Sequence, residues 1–147
     1  MSHTYSANFV HCVFSTKGRA PLIPHGRLEE LWAYLLGIAR NEKVKILAIG
    51  GVCDHLHLLI SLPPKMKLSK VVCDLKANSS KWMSESGVPF AWQEGYGAFS
   101  VSPSRIAEVQ RYIRNQAEHH RKRNFEQEFL DLLRKSGIAF EEKYVFG

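Results

Sequence analysis

The sequence predicts an α+β fold, a ferredoxin-like split βαβ arrangement whose antiparallel sheet carries helices on one face and is followed by C-terminal helices. Three observations lead there. Strand-like and helix-like segments follow one another in the order β-α-β-β-α-β-α-α, the second and third strands lie close enough for a hairpin, and no internal repeat, low-complexity tract or linker interrupts the chain. At 147 residues the chain can bury a core without disulfides or a structural metal, so residues 1–147 read as one domain.

Residues 4–14, TYSANFVHCVF, combine β-branched and aromatic side chains and read as the first strand. From Gly26 to Asn41, Leu28, Leu31, Trp32, Leu35, Leu36 and Ala39 recur at helical spacing and predict an amphipathic helix. VKILAIGG (44–51) is the second strand, and its Gly-Gly followed by Asp54 supplies turn chemistry before the third, HLHLLI (55–60). Beyond SLPPK, Leu68, Val71, Val72, Leu75, Ser79 and Trp82 mark a second helix, which Gly87 and Pro89 stop. FAWQEGYGAFSVS (90–102) reads as a Gly-rich turn leading into a short fourth strand. Ser102 is placed to cap a helix with Pro103 at its first position and Ile106, Val109 and Ile113 on its apolar face. A last helix runs from about Phe125 to Lys135 and ends in SGIAF.

The composition, 45% hydrophobic and 23% charged, is that of a globular protein, and no apolar run approaches the length of a membrane span. The first residues, MSHTYSANFVHCVFSTKGR, lack the basic and apolar regions of a secretion signal, so the expected location is the cytoplasm. Cys12, Cys53 and Cys73 are odd in number and show no C-x-x-C spacing, which excludes a zinc ribbon and predicts buried free thiols. The net charge of +6 favours a polyanionic partner.

Along a strand, residues i and i+2 point the same way about 6.6 Å apart, so His55 and His57 can converge on one metal ion while Leu56 faces the opposite side. Asp54 is expected to point away with the other face. Downstream, in EVQRYIRNQAEHHRKR (108–123), Tyr112 and Gln116 share a helix face, with His119 and His120 about a turn further on. Arg111, Arg114, Arg121, Lys122 and Arg123 crowd the same segment, a concentration of cations suited to phosphates near the Tyr112 hydroxyl.

DHLHLLIS (54–61) with YIRNQAEHH (112–120) downstream resembles the HUH single-tyrosine transposases of the IS-two-hundred-like insertion sequences, REP-associated tyrosine transposase relatives included. VHCVFSTKGR, LKANSSKW and WQEGYGAFSVS also resemble segments of that family, so the likeness spans nearly the whole chain. One departure is Cys53, where many relatives carry proline.

The resemblance implies that Tyr112 is the nucleophile and that His55, His57 and Gln116 hold a divalent metal. It implies a phosphotyrosine on the 5′ side of a cut in hairpin-bearing single-stranded DNA, and a homodimer whose sites combine histidines of one chain with Tyr112 and Gln116 of the other. Two imidazoles and an amide leave the charge of the ion undiluted, as stabilising a pentavalent phosphorus requires, and Mg²⁺ or Mn²⁺ is the expected cofactor. Trp82, Trp92, Tyr96 and Phe99 are candidates to stack unpaired bases. Tyr96, flanked by Gly95 and Gly97, is the one singled out for DNA, the others being expected in the core. Lys17, Arg19, Arg111 and Arg114 are the expected contacts to the DNA backbone.

Two further readings remain at this point. One is a domesticated relative acting on chromosomal repeats with the same four residues; the other is a binding module that does not cleave. A zinc hydrolase is disfavoured because the sequence shows no acidic general base at a known spacing from the histidines.

Overall fold

The computed structural model describes residues 3–146. Four strands, β1 (Phe9–Ser15), β2 (Lys45–Val52), β3 (His55–Ser61) and β4 (Gly97–Val101), form one antiparallel sheet in the order β2-β3-β1-β4. That is the ferredoxin-like order expected. Helices α1 (Leu28–Asn41) and α2 (Leu68–Glu85) cover one face. The C-terminal helices turn back over the opposite face: α3 (Ile106–Arg114), α4 (Gln116–His119) and α5 (Phe125–Lys135), followed by α6 (Glu142–Val145).

Strand alternation decides what each layer receives. Val10, Cys12 and Phe14 of β1 and Leu56, Leu58 and Ile60 of β3 meet Leu31, Leu35, Val72 and Leu75 in the α1/α2 core. The alternate residues Phe9 and Leu59 pack under α3, and Val13 packs against Phe125 and Leu133 of α5. His11, His55 and His57 also belong to that second face, between the two apolar patches.

Three local expectations need correction. The first strand begins at Phe9, not at residue 4, because pairing with β3 and β4 starts there and Tyr5 stands exposed without a partner. The hairpin turn falls at Cys53–Asp54, and the two glycines lie inside β2, opposite His57 and Leu56. Ser102 does not cap the next helix through its side chain; its Oγ lies 3.2 Å from Ser104 Oγ, and Pro103–Arg105 form a 3-10 turn ahead of α3. The three thiols also differ in burial. Cys12 is in the core, Cys53 is half-buried in the hairpin turn, and Cys73 is exposed on the outer face of α2. No helix among the described residues is long and apolar enough to cross a membrane.

Candidate active site

Two backbone features bring α3 onto the sheet. A bulge at Leu47 in β2 frees a carbonyl, which accepts a hydrogen bond from Gln110 Nε2 at 3.1 Å. One register further, Gly50 leaves room for the backbone of Ile113, which is fully buried. Tyr112 is thereby held over His57, their ring centroids 5.8 Å apart. The helix breaks at Asn115, so Gln116 opens α4 instead of continuing α3, yet its Nε2 still donates to the Tyr112 carbonyl at 3.2 Å.

The position of α5 follows from its start. Asn124 and Gln127 form a reciprocal capping box, and Phe125 lays its ring 4.5 Å from that of His55. Glu128, one turn on from Phe125, then points into the sheet and is wholly buried.

Six side chains converge there, Glu128 among them. Glu128 Oε1 lies 2.9 Å from His57 Nε2, 3.1 Å from His120 Nε2 and 3.5 Å from His55 Nε2. Gln116 Oε1 is 3.2 Å from His55 Nε2 and 3.0 Å from His120 Nε2. Glu128 Oε2 accepts the hydroxyl of Tyr112. Behind the cluster, Asp54 Oδ1 is 2.7 Å from His55 Nδ1 and His11 Nε2 is 2.8 Å from His57 Nδ1.

This set fits a divalent cation. Ligand atoms about 2.1 Å from an ion stand about 3 Å from one another. The donor atoms of His55, His57, His120 and Glu128 all lie within 4.8 Å of one another, with several pairs near that spacing. The remaining nitrogens of His55 and His57 are engaged by Asp54 and His11, the outer-shell arrangement that fixes ring orientation in metal sites.

Electrostatics tie the cluster together. Burial lowers His57 to about 4, although Glu128 pulls the other way. Burial and the neighbouring His57 lower His11 to about 3. Burial alone would lower His55 too, but Asp54 and Glu128 outweigh it and raise it. Burial would raise Glu128, yet hydrogen bonds from His120, His55 and His57 hold its carboxyl well below the usual range. Tyr112 is raised by burial and by donating to Glu128.

All four residues expected at the centre, Tyr112, His55, His57 and Gln116, meet within a single chain. The resemblance implies histidines from one protomer and tyrosine from the other; within the single chain, α3 packs on its own sheet. Asp54, expected to point away, binds His55, because it sits in the turn where strand alternation does not apply. The acid absent from the sequence reading is Glu128. Its signal is a carboxylate on the apolar stripe of α5, between Phe125 and Leu132.

The expected DNA contacts are more scattered. Arg19 is committed to the C-terminal segment, pairing with Glu126 at 3.0 Å, donating to the Phe146 carbonyl at 2.8 Å and lying over the Phe146 ring. Arg19 and Tyr96 line a cavity of about 510 Å³ beside the cluster, with Tyr96 exposed at its edge. Lys17, Arg111 and Arg114 are exposed. The cleft that opens on Tyr112, about 220 Å³, is instead lined by Arg105, Arg123 and Lys135 together with Glu108 and Asp131, which pair with Arg105 and Arg123. Trp82 and Trp92 serve the core as expected: Trp82 stacks on Tyr34, and Trp92 packs on Phe14 and donates to Ser79 Oγ at 2.9 Å. Phe99 is buried on the other face.

The fold is one shared with solved transposase structures. The model of the family described as "Transposase IS200 like" matches residues 4–116, and the chain belongs to that family. Members are DNA-strand-transfer enzymes. The chain is 29% identical over 126 residues to the transposase of insertion sequence element IS200 from Salmonella typhimurium, covering 80% of this chain and 82% of the relative. It is 25% identical over 114 residues to the ISDra2 transposase TnpA of Deinococcus radiodurans, covering 72% and 81%. Two solved structures share the fold. A transposase structure from Deinococcus radiodurans R1 superposes with a TM-score of 0.62 at 24% identity, over 79% of this chain and 96% of that one. A REP-associated tyrosine transposase bound to a REP hairpin gives 0.58 at 15% identity, over 77% and 70%.

Proposed function

We propose that the protein cleaves and rejoins single-stranded DNA at hairpin-bearing ends, with Tyr112 as nucleophile. The observation that carries this reading is that Tyr112 stands over the buried imidazoles of β3, its hydroxyl donating to Glu128, which also binds His57. The phenolic oxygen bonds to phosphorus as the bond from phosphorus to the 3′ oxygen breaks. Tyr112 loses its proton, the departing 3′ oxygen gains one, and a 5′-phosphotyrosine remains. Attack by a 3′ hydroxyl reverses the step, so rejoining needs no nucleotide cofactor.

His55, His57 and Gln116 would hold a divalent cation, Mg²⁺ or Mn²⁺, with the two imidazoles favouring Mn²⁺. When bound, it supplies positive charge against the phosphate oxygens. Lys135 lines the approach to Tyr112 and would guide the phosphodiester, while Lys17, Arg111, Arg114 and Tyr96 would hold flanking DNA. We place the reaction in the cytoplasm and in a homodimer, which would bring two DNA ends together. The relative bound to a REP hairpin supports hairpin DNA as the substrate class and keeps chromosomal repeats as the second possibility for the substrate.

The test uses end-labelled single-stranded oligonucleotides from the ends of the element, or from nearby repeats, with Mn²⁺ present. A denaturation-resistant protein–DNA adduct is expected with the native chain and none with Tyr112→Phe, which still binds DNA. An adduct at normal yield from that variant would remove Tyr112 from the role. Binding by the native chain with no adduct would favour a non-cleaving module.

A further inference from the structure

We infer that Glu128 is a ligand of the cation in this site and also the residue that positions the Tyr112 hydroxyl, which makes α5 part of the catalytic machinery. The inference rests on the reading of the site given above. It concerns a residue beyond position 116, where the match to the family model ends.

Geometry places the two carboxylate oxygens in different roles. Oε1 lies 2.9 Å from His57 Nε2 and 3.1 Å from His120 Nε2, separations expected between neighbouring ligands of one ion. Oε2 accepts the hydroxyl of Tyr112. A single carboxylate therefore joins the cation position to the nucleophile.

Charge points the same way. Glu128 is fully buried, and among the described residues its ionic partners are histidines, with no lysine or arginine paired to it. A carboxylate taken out of water needs positive charge beside it. A divalent cation held by Glu128 and the imidazoles would supply that charge without requiring protons on the ligating nitrogens.

The helix is fixed well enough to act this way. The Asn124–Gln127 capping box sets where α5 begins, Phe125 packs on His55, and Phe129 packs on Phe99. One turn of drift would take Glu128 off the cluster, and these contacts oppose it.

The test is Mn²⁺ binding by calorimetry on the DNA-free protein, with the metal alone as probe, followed by adduct formation at saturating Mn²⁺ and DNA. Glu128→Gln keeps the shape and removes the charge. It is expected to bind Mn²⁺ at least tenfold more weakly and, with the ion saturating, to form the adduct at least tenfold more slowly while single-stranded DNA affinity is unchanged. If Glu128→Gln does not unfold cooperatively, Glu128→Asp is measured instead; retracting the carboxylate is expected to weaken Mn²⁺ binding as well. Native Mn²⁺ affinity in the folded variant overturns the ligand role. A native adduct rate at saturating Mn²⁺ overturns the positioning role. The double variant His55→Ala, His57→Ala separates the two levels: if it also binds Mn²⁺ normally, the cation site itself is misplaced, whereas its loss of binding beside a normal Glu128→Gln defeats this inference alone.

Discussion

Gly50 has no side chain where the carbonyl oxygen of Ile113 lies: a Cβ built on Gly50 would stand 1.9 Å from that oxygen. The sheet and α3 therefore touch backbone to backbone, and the neighbour of Ile113 is Tyr112. Gly50→Ala must push α3 away, at a cost of about 1–3 kcal/mol by analogy with overpacked cores. The expected result is a lower urea midpoint and a loss of adduct formation larger than the stability loss explains, because Tyr112 and Gln116 move with the helix. Native stability and activity in Gly50→Ala would mean that α3 does not dock as described.

Asp54 and His55 make the second test. Asp54 Oδ1 lies 2.7 Å from His55 Nδ1, which leaves Nε2 facing the cluster. Asp54→Ala removes no proposed ligand but frees the ring, and outer-shell changes of this kind typically weaken metal binding about 10–100-fold. Calorimetric titration with Mn²⁺ should register that loss with the fold intact by circular dichroism. Chelation of the native protein should stop cleavage and added Mn²⁺ restore it. An Asp54→Ala protein that binds Mn²⁺ as tightly as the native chain would place His55 outside the metal site.

The cysteines test the layering of the fold. Cys12 is fully buried and burial pushes its thiol up to about 12, whereas Cys73 is exposed on α2. Iodoacetamide at pH 7 to 9 should label Cys73 readily and leave Cys12 unmodified until denaturant is added, because the thiolate is the reacting form. Mass spectrometry of the digested protein reads the order. Early labelling of Cys12 in native protein would contradict the buried central strand.

The legible part of this protein is the part governed by short periodicities. His55 and His57 are read from a two-residue repeat, and strand alternation alone puts them on one face. Tyr112 and Gln116 are read from a four-residue spacing, and the pair survives the break at Asn115 because the Gln116 side chain reaches back to the Tyr112 carbonyl. Glu128 could not be placed in that way. Its approach to His57 depends on how residues 120–124 reverse the chain, a tertiary matter that no local pattern encodes, although a lone carboxylate on the apolar stripe of α5 was a visible anomaly. Residues 4–8 look like a strand for the opposite reason: their composition is strand-like, but the ladders with β3 and β4 begin only at Phe9. Residue type points Cys73 inward, while its place on the helix away from Val72 and Leu75 exposes it.

Assembly supplies the last prediction. In the chain described here, Gln116 bonds to its own His55 and Tyr112 stands over its own His57. The backbone contact of α3 with β2, the Gln110 bond to Leu47 and the packing of Ile113 all hold the helix on the sheet it came from. Leaving it would expose Ile113 and strand the Leu47 carbonyl, while a partner's helix landing in the same place would restore both. The energy difference between the two arrangements therefore lies in the connection before Pro103 and not in the site. The arrangement in which each chain completes its own site makes a distinct prediction. When a His55→Ala, His57→Ala chain is mixed with a Tyr112→Phe chain, every site still lacks a part, so the mixture should form no adduct after subunit exchange is verified by differential labelling. If helices exchange between protomers, one site in each heterodimer regains the histidines of one chain and the tyrosine of the other, and adduct appears at up to about half the native yield per dimer. Recovered activity would thus overturn the self-contained site while leaving the identity of the nucleophile untouched.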